Sequence, residues 1–152
     1  NVYDLVYSAA TIQWIPEQIA FSKTYDMLKP GGHLAMFMTR SDENSLNQEL
    51  GGEIDQVYQK YFHVKQKYTC QMHYDNVTDY GFTNYTYQEW KKQRELDVEA
   101  YISYIGTHCA HITLEEPHRS NFYNGIRDAF MKCGNKITII DTIPLYLVQK
   151  PI

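Results

Sequence analysis

The chain has 152 residues, 43% of them hydrophobic, with 14 Lys+Arg against 18 Asp+Glu and a formal net charge of -4. These values suit one globular domain. No stretch reaches the roughly 18 to 20 apolar residues of a membrane helix, no low-complexity run argues for disorder, and the mild acidity leaves no electrostatic footprint for nucleic acid.

The chain opens on Asn1-Val2-Tyr3-Asp4, already inside an apolar run. This raises the expectation of a piece of a longer protein. Val2 to Ser8 reads as a buried strand of the kind found in parallel sheets covered on both faces. It is bounded by the small residues Ser8-Ala9-Ala10. Pro16-Glu17 is a helix start signal. Ala20, Phe21, Thr24, Tyr25 and Leu28 recur at helical spacing behind it, and Pro30-Gly31-Gly32 is expected to end that helix. His33 to Thr39 is a second apolar strand, which completes a βαβ unit.

Beyond Arg40 the pattern changes. Ser45-Leu46-Asn47-Gln48 matches a capping box. Leu46, Leu50, Ile54, Tyr58 and Tyr61 mark one helical face, with a kink or break expected at Gly51-Gly52. Residues 63 to 79 carry no period and read as loop or short helix. A strand region starts at Gly81-Phe82 and runs towards Leu96. Asp97 is placed to cap a helix with the face Val98, Tyr101, Ile102, Ile105. Thr113-Leu114-Glu115-Glu116 is a second capping-box match, ahead of a helix bearing Phe122, Ile126, Ala129, Phe130 and Cys133. Gly134 follows as its C-terminal cap. Lys136 to Lys150 is the last strand, where Pro144 predicts an edge or a bulge. The order β-α-β-α-β-α-α-β predicts an α/β domain with about four strands.

The three cysteines, Cys70, Cys109 and Cys133, are odd in number and form no C-x-x-C pair. A disulfide framework is not expected, and the reading is a reducing, cytoplasmic compartment. Asn76-Val77-Thr78 and Asn84-Tyr85-Thr86 match the glycosylation acceptor pattern, which is common by chance. His108-Cys109-Ala110-His111, even with Cys70 and His73, fits no zinc spacing, so no metal is expected. The sequence holds neither G-x-G-x-x-G nor a P-loop. On spacing alone there is no nucleotide site.

Tyr3-Asp4-Leu5-Val6-Tyr7-Ser8-Ala9-Ala10-Thr11-Ile12-Gln13-Trp14, a helix, and Leu28-Lys29-Pro30-Gly31-Gly32-His33-Leu34 together resemble the class I S-adenosylmethionine-dependent methyltransferases. They are similar to the fourth strand, the following helix and the fifth strand of that fold. The small-molecule branch similar to trans-aconitate methyltransferase carries His-Trp after the fourth strand; here Gln13 stands at the His position and Trp14 matches. The tail resembles that branch too, from Glu99-Ala100-Tyr101 through a His-containing linker to a closing Tyr-Leu-Val strand. The resemblance implies a Rossmann-like sheet with strand order 3-2-1-4-5-7-6 and an antiparallel seventh strand. This chain would supply strands 4 to 7, with 41–79 as a helical cap insertion. Strands 1 to 3 and the Gly-rich loop would lie before Asn1.

The same resemblance implies S-adenosylmethionine as cofactor, on a site incomplete in this chain. It also implies a small-molecule acceptor, with no nucleic-acid or membrane partner, and a fragment that is inactive alone. Ligands bind outside the carboxyl ends of the strands at a switch point, which here means Ser8, Ala9 and Ala10, with Trp14 as a wall. A strand-to-loop transition accounts for the small residues equally well, and a hydrophobic staple accounts for Trp14. Tyr101, His108 and His111 are the acceptor-side candidates, although Tyr101 shares a core face with Ile105. The tyrosines Tyr58, Tyr61, Tyr68, Tyr74, Tyr80, Tyr85 and Tyr87 suit an aromatic pocket or the packing of a cap. A non-catalytic α/β binding or oligomerisation module is the alternative. With strand 1 of that fold outside this chain, the first strand would present a flat apolar edge, through which the chain is expected to pair, as in a symmetric dimer, or which is otherwise covered.

Overall fold

The computed structural model describes residues 2–43, 46–64 and 72–152. Five strands and the helices around them form a mixed α/β fold: β1 (Tyr3–Ala9), α1 (Glu17–Met27), β2 (Leu28–Phe37), β3 (Arg40–Asp42), α2 (Gln48–Tyr61), β4 (Thr83–Asp97), α3 (Val98–Ile105), α4 (Cys109–Ile112), α5 (His118–Cys133) and β5 (Lys136–Gln149). Short 3-10 turns occupy Ile12–Trp14 and Tyr74–Tyr80. β1 pairs with β2 in parallel, β2 pairs with β5 antiparallel, and β3 and β4 both pair with β5.

Two compact units divide the chain. The first comprises Asn1–Arg40, Thr69–Lys91 and Thr142–Ile152; the second comprises Ser41–Tyr68 and Lys92–Asp141. The first unit packs Ile12, Ala20, Phe21, Leu28, Leu34, Met36, Val77, Phe82 and Val148 into one core. The second unit gathers Leu50, Ile54, Tyr101, Leu114, Phe122, Ile126, Phe130, Ile137 and Ile139. Both are continuous apolar clusters of the kind that supplies most folding free energy.

In the first unit, α1 buries Ala20, Phe21 and Thr24 as its spacing predicts. It stops at Met27, and the next residues are strand. Pro30-Gly31-Gly32 therefore lies inside β2 and does not terminate the helix. The reason is a bulge: Tyr3 faces Leu28 while Leu5 faces His33, so β2 accommodates extra residues there. Gly31 supplies φ +78, and a Cβ on Gly32 would sit 3.0 Å from the Lys29 carbonyl oxygen and 3.2 Å from that of Asp4. Lys150 closes the helix end. Its buried ammonium donates to the carbonyls of Tyr25 (2.8 Å) and Leu28 (2.9 Å), where the helix dipole is negative.

β1 is not the doubly covered strand that its composition suggests. Tyr3, Leu5 and Tyr7 are 52%, 54% and 68% exposed. An apolar run indicates burial only when both neighbours are present, and among the described residues β1 pairs with β2 alone.

In the second unit, α2 runs unbroken through Gly51-Gly52. Leu50, Gly51 and Ile54 hold the helix on its core, which outweighs the propensity cost. Ser45 of the expected capping box lies outside the described residues. Asn47 occupies the cap position and makes no cap hydrogen bond. Its amide instead donates to the carbonyls of Glu43 (2.8 Å) and Thr138 (2.6 Å), and its oxygen accepts from the Thr138 N–H at 3.0 Å. Asp97 does cap α3, accepting from the Ala100 N–H at 2.8 Å. The Thr113 capping box does not form: the Thr113 hydroxyl donates to the Ala110 carbonyl, and Glu116 accepts from the Ser120 N–H near the start of α5. Gly134 ends α5 with φ +118.

β5 buries Ile137, Ile139 and Asp141, then Pro144, Tyr146 and Val148. The alternation changes parity between Asp141 and Pro144, so Ile137, Ile139 and Asp141 are buried on one parity of the strand and Pro144, Tyr146 and Val148 on the other.

Candidate functional sites

In the first unit, β1 delivers Ser8, Ala9 and Ala10 to the carboxyl end of the parallel pair. The loop is locally built. The Ser8 hydroxyl accepts from the Ile12 N–H at 2.9 Å, the Thr11 hydroxyl donates to the Ala9 carbonyl at 2.8 Å, and the Ala10 N–H reaches the Phe37 carbonyl at 2.8 Å. Ala10 is held at φ +49, a left-handed conformation that disfavours any Cβ. Ala9 and Ala10 are exposed, so backbone is approachable there. This suits the small-residue platform expected for a cofactor at the strand ends.

Trp14 follows on the 3-10 turn and is 52% exposed, not folded under as a staple. It lines an open cleft of about 470 Å³ with Gln13, Ile15, Pro16, Glu17, Gln18 and Met72. Ser8, Ala9 and Ala10 do not line this cleft. Glu17, read in sequence only as a helix start, proves to be a hub. Its carboxylate accepts from the Asn76 amide (3.2 and 3.3 Å), the His73 N–H (3.4 Å) and the Tyr80 hydroxyl (3.5 Å). The Gln13 side-chain oxygen is buried without a hydrogen-bond partner among the described residues.

The second unit brings His108 and His111 together, with ring centroids 5.5 Å apart. His111 is buried at 7% exposure among Tyr58, Phe62 and Phe122. Its Nε2 lies 2.8 Å from the Tyr58 hydroxyl, and its buried Nδ1 has no partner among the described residues. Burial, with the nearby His108, lowers its pKa to about 4, so the ring is neutral near pH 7. Burial, with the Glu43 charge second, raises the Tyr58 pKa. Tyr101 is fully buried and donates to Glu43 at 2.5 Å; burial and that carboxylate keep its phenol protonated. Tyr104 bridges the two predicted positions, 6.5 Å from the Tyr101 ring and 4.9 Å from the exposed His108 ring.

Tyr104 also donates to the Ser41 hydroxyl at 2.9 Å, and Ser41 donates to Asp141 at 2.7 Å. Arg94 stacks its guanidinium 4.1 Å over the Tyr104 ring and grips Asp141 through two bonds of 2.6 and 3.2 Å. Burial alone would raise the Asp141 pKa; the bonds from Arg94 and Ser41 outweigh it and lower it. Sequence reading named Tyr58 only among the tyrosines of an aromatic pocket or cap, and missed Glu43, Tyr104 and this ion pair. Only the i, i+3 and i, i+4 spacing of Tyr101, Tyr104 and His108 signalled a shared face.

The other tyrosines pack rather than line one pocket. Tyr74 stacks on Tyr146 at 4.5 Å, and Tyr80 meets Phe21 edge-on at 5.2 Å. Tyr68 and Cys70 lie outside the described residues. Among the described residues no group of three His, Cys, Asp or Glu is placed to hold a metal ion, and no helix is long and apolar enough to cross a membrane.

No family model matches the chain, and no curated protein matches it. Solved structures do. A candidate type II methyltransferase from Anaeromyxobacter dehalogenans aligns with a TM-score of 0.62 over 99% of this chain and 66% of its own, at 14% identity. A candidate methyltransferase from Bacillus halodurans C-125 aligns at 0.51 over 99% of this chain and 65% of its own, at 13% identity. The chain therefore has the mixed α/β fold of these methyltransferases, and it spans about two thirds of their length.

Proposed function

We propose that this chain is the carboxyl-terminal part of a class I S-adenosylmethionine-dependent methyltransferase acting on a small molecule, of the branch similar to trans-aconitate methyltransferase. The observation that carries the reading is the sheet: a parallel pair, then an antiparallel last strand on β2, with β4 on its other pairing. That is the neighbour order expected of strands 4, 5, 7 and 6. In this reading 41–79 belongs to a cap, and strands 1 to 3 with a Gly-rich loop come from upstream residues.

Ser8, Ala9 and Ala10 would give the cofactor backbone to approach, and Trp14 would wall it. The exposed small residues and the half-exposed indole fit such a group. When bound, the cofactor supplies an already activated methyl group, so the protein needs alignment and water exclusion more than a strong base. Tyr101, His108 and His111 serve the acceptor side. Tyr101 and His111 are buried and bonded to Glu43 and Tyr58, so in this reading they hold the acceptor side in place without adding charge. His108, exposed beside them, is the group of the three that an acceptor can reach.

Calorimetry with S-adenosylmethionine on the protein encoded by the complete gene tests this reading, with saturable binding at one site expected. The upstream sequence should hold a strand ending in Gly-x-Gly; its absence, with no binding, leaves the non-catalytic module. For the isolated chain we propose self-pairing through β1. Sedimentation that finds monomer at every concentration rejects that.

A further inference from the structure

Arg40 opens β3 just beyond the carboxyl end of β2, and it is exposed. Arg94 and Arg127 each grip a carboxylate, Asp141 and Glu99. Among the described residues Arg40 grips none. Its hydrogen bond there runs from Nη2 to the Tyr146 phenol oxygen at 2.8 Å. A guanidinium carries several N–H donors in a rigid fork. This bond therefore fixes the fork and leaves most of it uncommitted. Tyr146 adds a second donor at the same place. It is 8% exposed, and its oxygen accepts from Arg40, so its own hydrogen turns elsewhere. No acceptor among the described residues takes that hydrogen. A largely buried hydroxyl with an uncommitted hydrogen calls for a partner, and an acceptor oxygen lying between it and the fork would satisfy both.

The surroundings are aromatic. Tyr74 stacks on the Tyr146 ring at 4.5 Å and steadies it. Tyr87 and Tyr85, 47% and 36% exposed, flank the same ring at 5.1 and 6.4 Å. Two acids act on these phenols, Glu89 on Tyr87 and Asp75 on Tyr85. Glu89 is engaged already, accepting from the Tyr87 hydroxyl at 2.7 Å and pairing with Lys91 at 3.6 Å. The cations Arg40 and Lys91 thus match the acids, and what sets the place apart is its converging donors, not net charge. All these residues belong to the first unit. Tyr146 pairs with Met36 and Met36 with Ser8, which puts Tyr146 two strands, about 10 Å, from the end of β1.

We propose that Arg40 and Tyr146 form a seat for an oxyanion carried on a small aromatic molecule. A carboxylate or phosphate oxygen takes the free N–H groups of Arg40 and the O–H of Tyr146, and Tyr85 and Tyr87 flank the aromatic body. The anion is a recognition handle, and no bond is made or broken at it. The seat does not rest on the methyltransferase reading, and it uses none of the residues assigned there to cofactor or acceptor.

The test is calorimetry on the protein encoded by the complete gene, with benzoate, phenyl phosphate and the uncharged isostere benzamide. One of the two anions should bind saturably, and the tighter of them names the source of the oxyanion. Benzamide should bind about ten-fold more weakly or not at all. Arg40→Gln should weaken the anion by about ten-fold, and Arg40→Lys should not restore it, because a lysine has no fork. Tyr146→Phe keeps the ring and its stacking and should cost about five-fold. Arg40 is exposed, so its variants keep the fold even if Tyr146→Phe does not. No saturable binding of either anion, equal affinity for benzamide, or unchanged affinity in Arg40→Gln overturns the proposal. S-adenosylmethionine is titrated separately into the same protein. Anion binding without cofactor binding keeps the seat and counts against the methyltransferase reading; the reverse result overturns the seat and leaves that reading standing.

Discussion

His111 shows how one side chain sets a pH limit. Its folded pKa, about 4, lies below the ordinary value of 6.5. As pH falls the unfolded chain takes up the proton first, so the unfolded state binds more protons between those values. Stability is therefore full above about 6.5 and is lost as pH falls towards about 4, by on the order of 3 kcal/mol. Urea titrations at about pH 7 and about pH 5 should show the drop. His111→Phe should flatten it, since the ring sits among Tyr58, Phe62 and Phe122. Asp141 acts in the opposite sense of charge. It is 9% exposed and carries both Arg94 and Ser41. Asp141→Asn should cost about 2 to 3 kcal/mol, because Arg94 then keeps its charge without a full counter-ion. Chemical denaturation of that variant checks the figure. His111 was an acceptor-side candidate in sequence, but neither its burial nor the role of Asp141 was legible there. A histidine in a polar linker and an aspartate in a strand acquire their roles only from what packs on them.

Elements were legible where the pattern was local. The face of α1 and the Asp97 cap need only their own neighbours in sequence, and both are as read. The failures involve partners far along the chain. Asn47, unremarked in sequence, is bonded to Thr138, 91 residues away, and Pro30-Gly31-Gly32 was drawn into a bulge against β1. Composition cannot anticipate such contacts. Glycines give the sharpest element-scale test, because two in helices predict opposite signs. A Cβ on Gly52 meets nothing within 4 Å, so Gly52→Ala should stabilise α2 by about 0.5 to 1 kcal/mol. A Cβ on Gly125 would lie 2.9 and 3.2 Å from the two methyls of Val57, a stiff β-branched side chain. Gly125→Ala should therefore destabilise by about 1 to 2 kcal/mol despite its better helix propensity. Thermal melts of the pair settle both.

At the scale of the molecule, two of the outer strands, β1 and β4, are defended differently. β4 is exposed along nearly all its length, yet it carries Glu89, Lys91, Lys92, Arg94 and Glu95, charges that discourage a further strand. β1 carries Asp4 alone among Val2, Tyr3, Leu5, Val6 and Tyr7. The α/β class was visible from strand and helix periods, and the apolar β1 was visible as a run. Its open edge was expected, but the exposure of Tyr3, Leu5 and Tyr7 was not, because face burial depends on what packs over a strand. If β1 self-pairs, Leu5→Lys should shift sedimentation of the isolated chain towards monomer, while Lys91→Leu on the guarded edge should promote association. Equal behaviour of the two variants would count against the contrast.

The change of parity in β5 has a genetic consequence. Ile137 and Ile139 serve one core, and Tyr146 and Val148 serve the other, on opposite parities of the same strand. The spacing of three between Asp141 and Pro144 sets that change of parity. An in-frame deletion of one codon there would put both sets on one parity and turn one of them away from its core. A lesion that removes a single half-exposed residue, Thr142 or Ile143, should therefore be far less tolerated than substitution of either by serine.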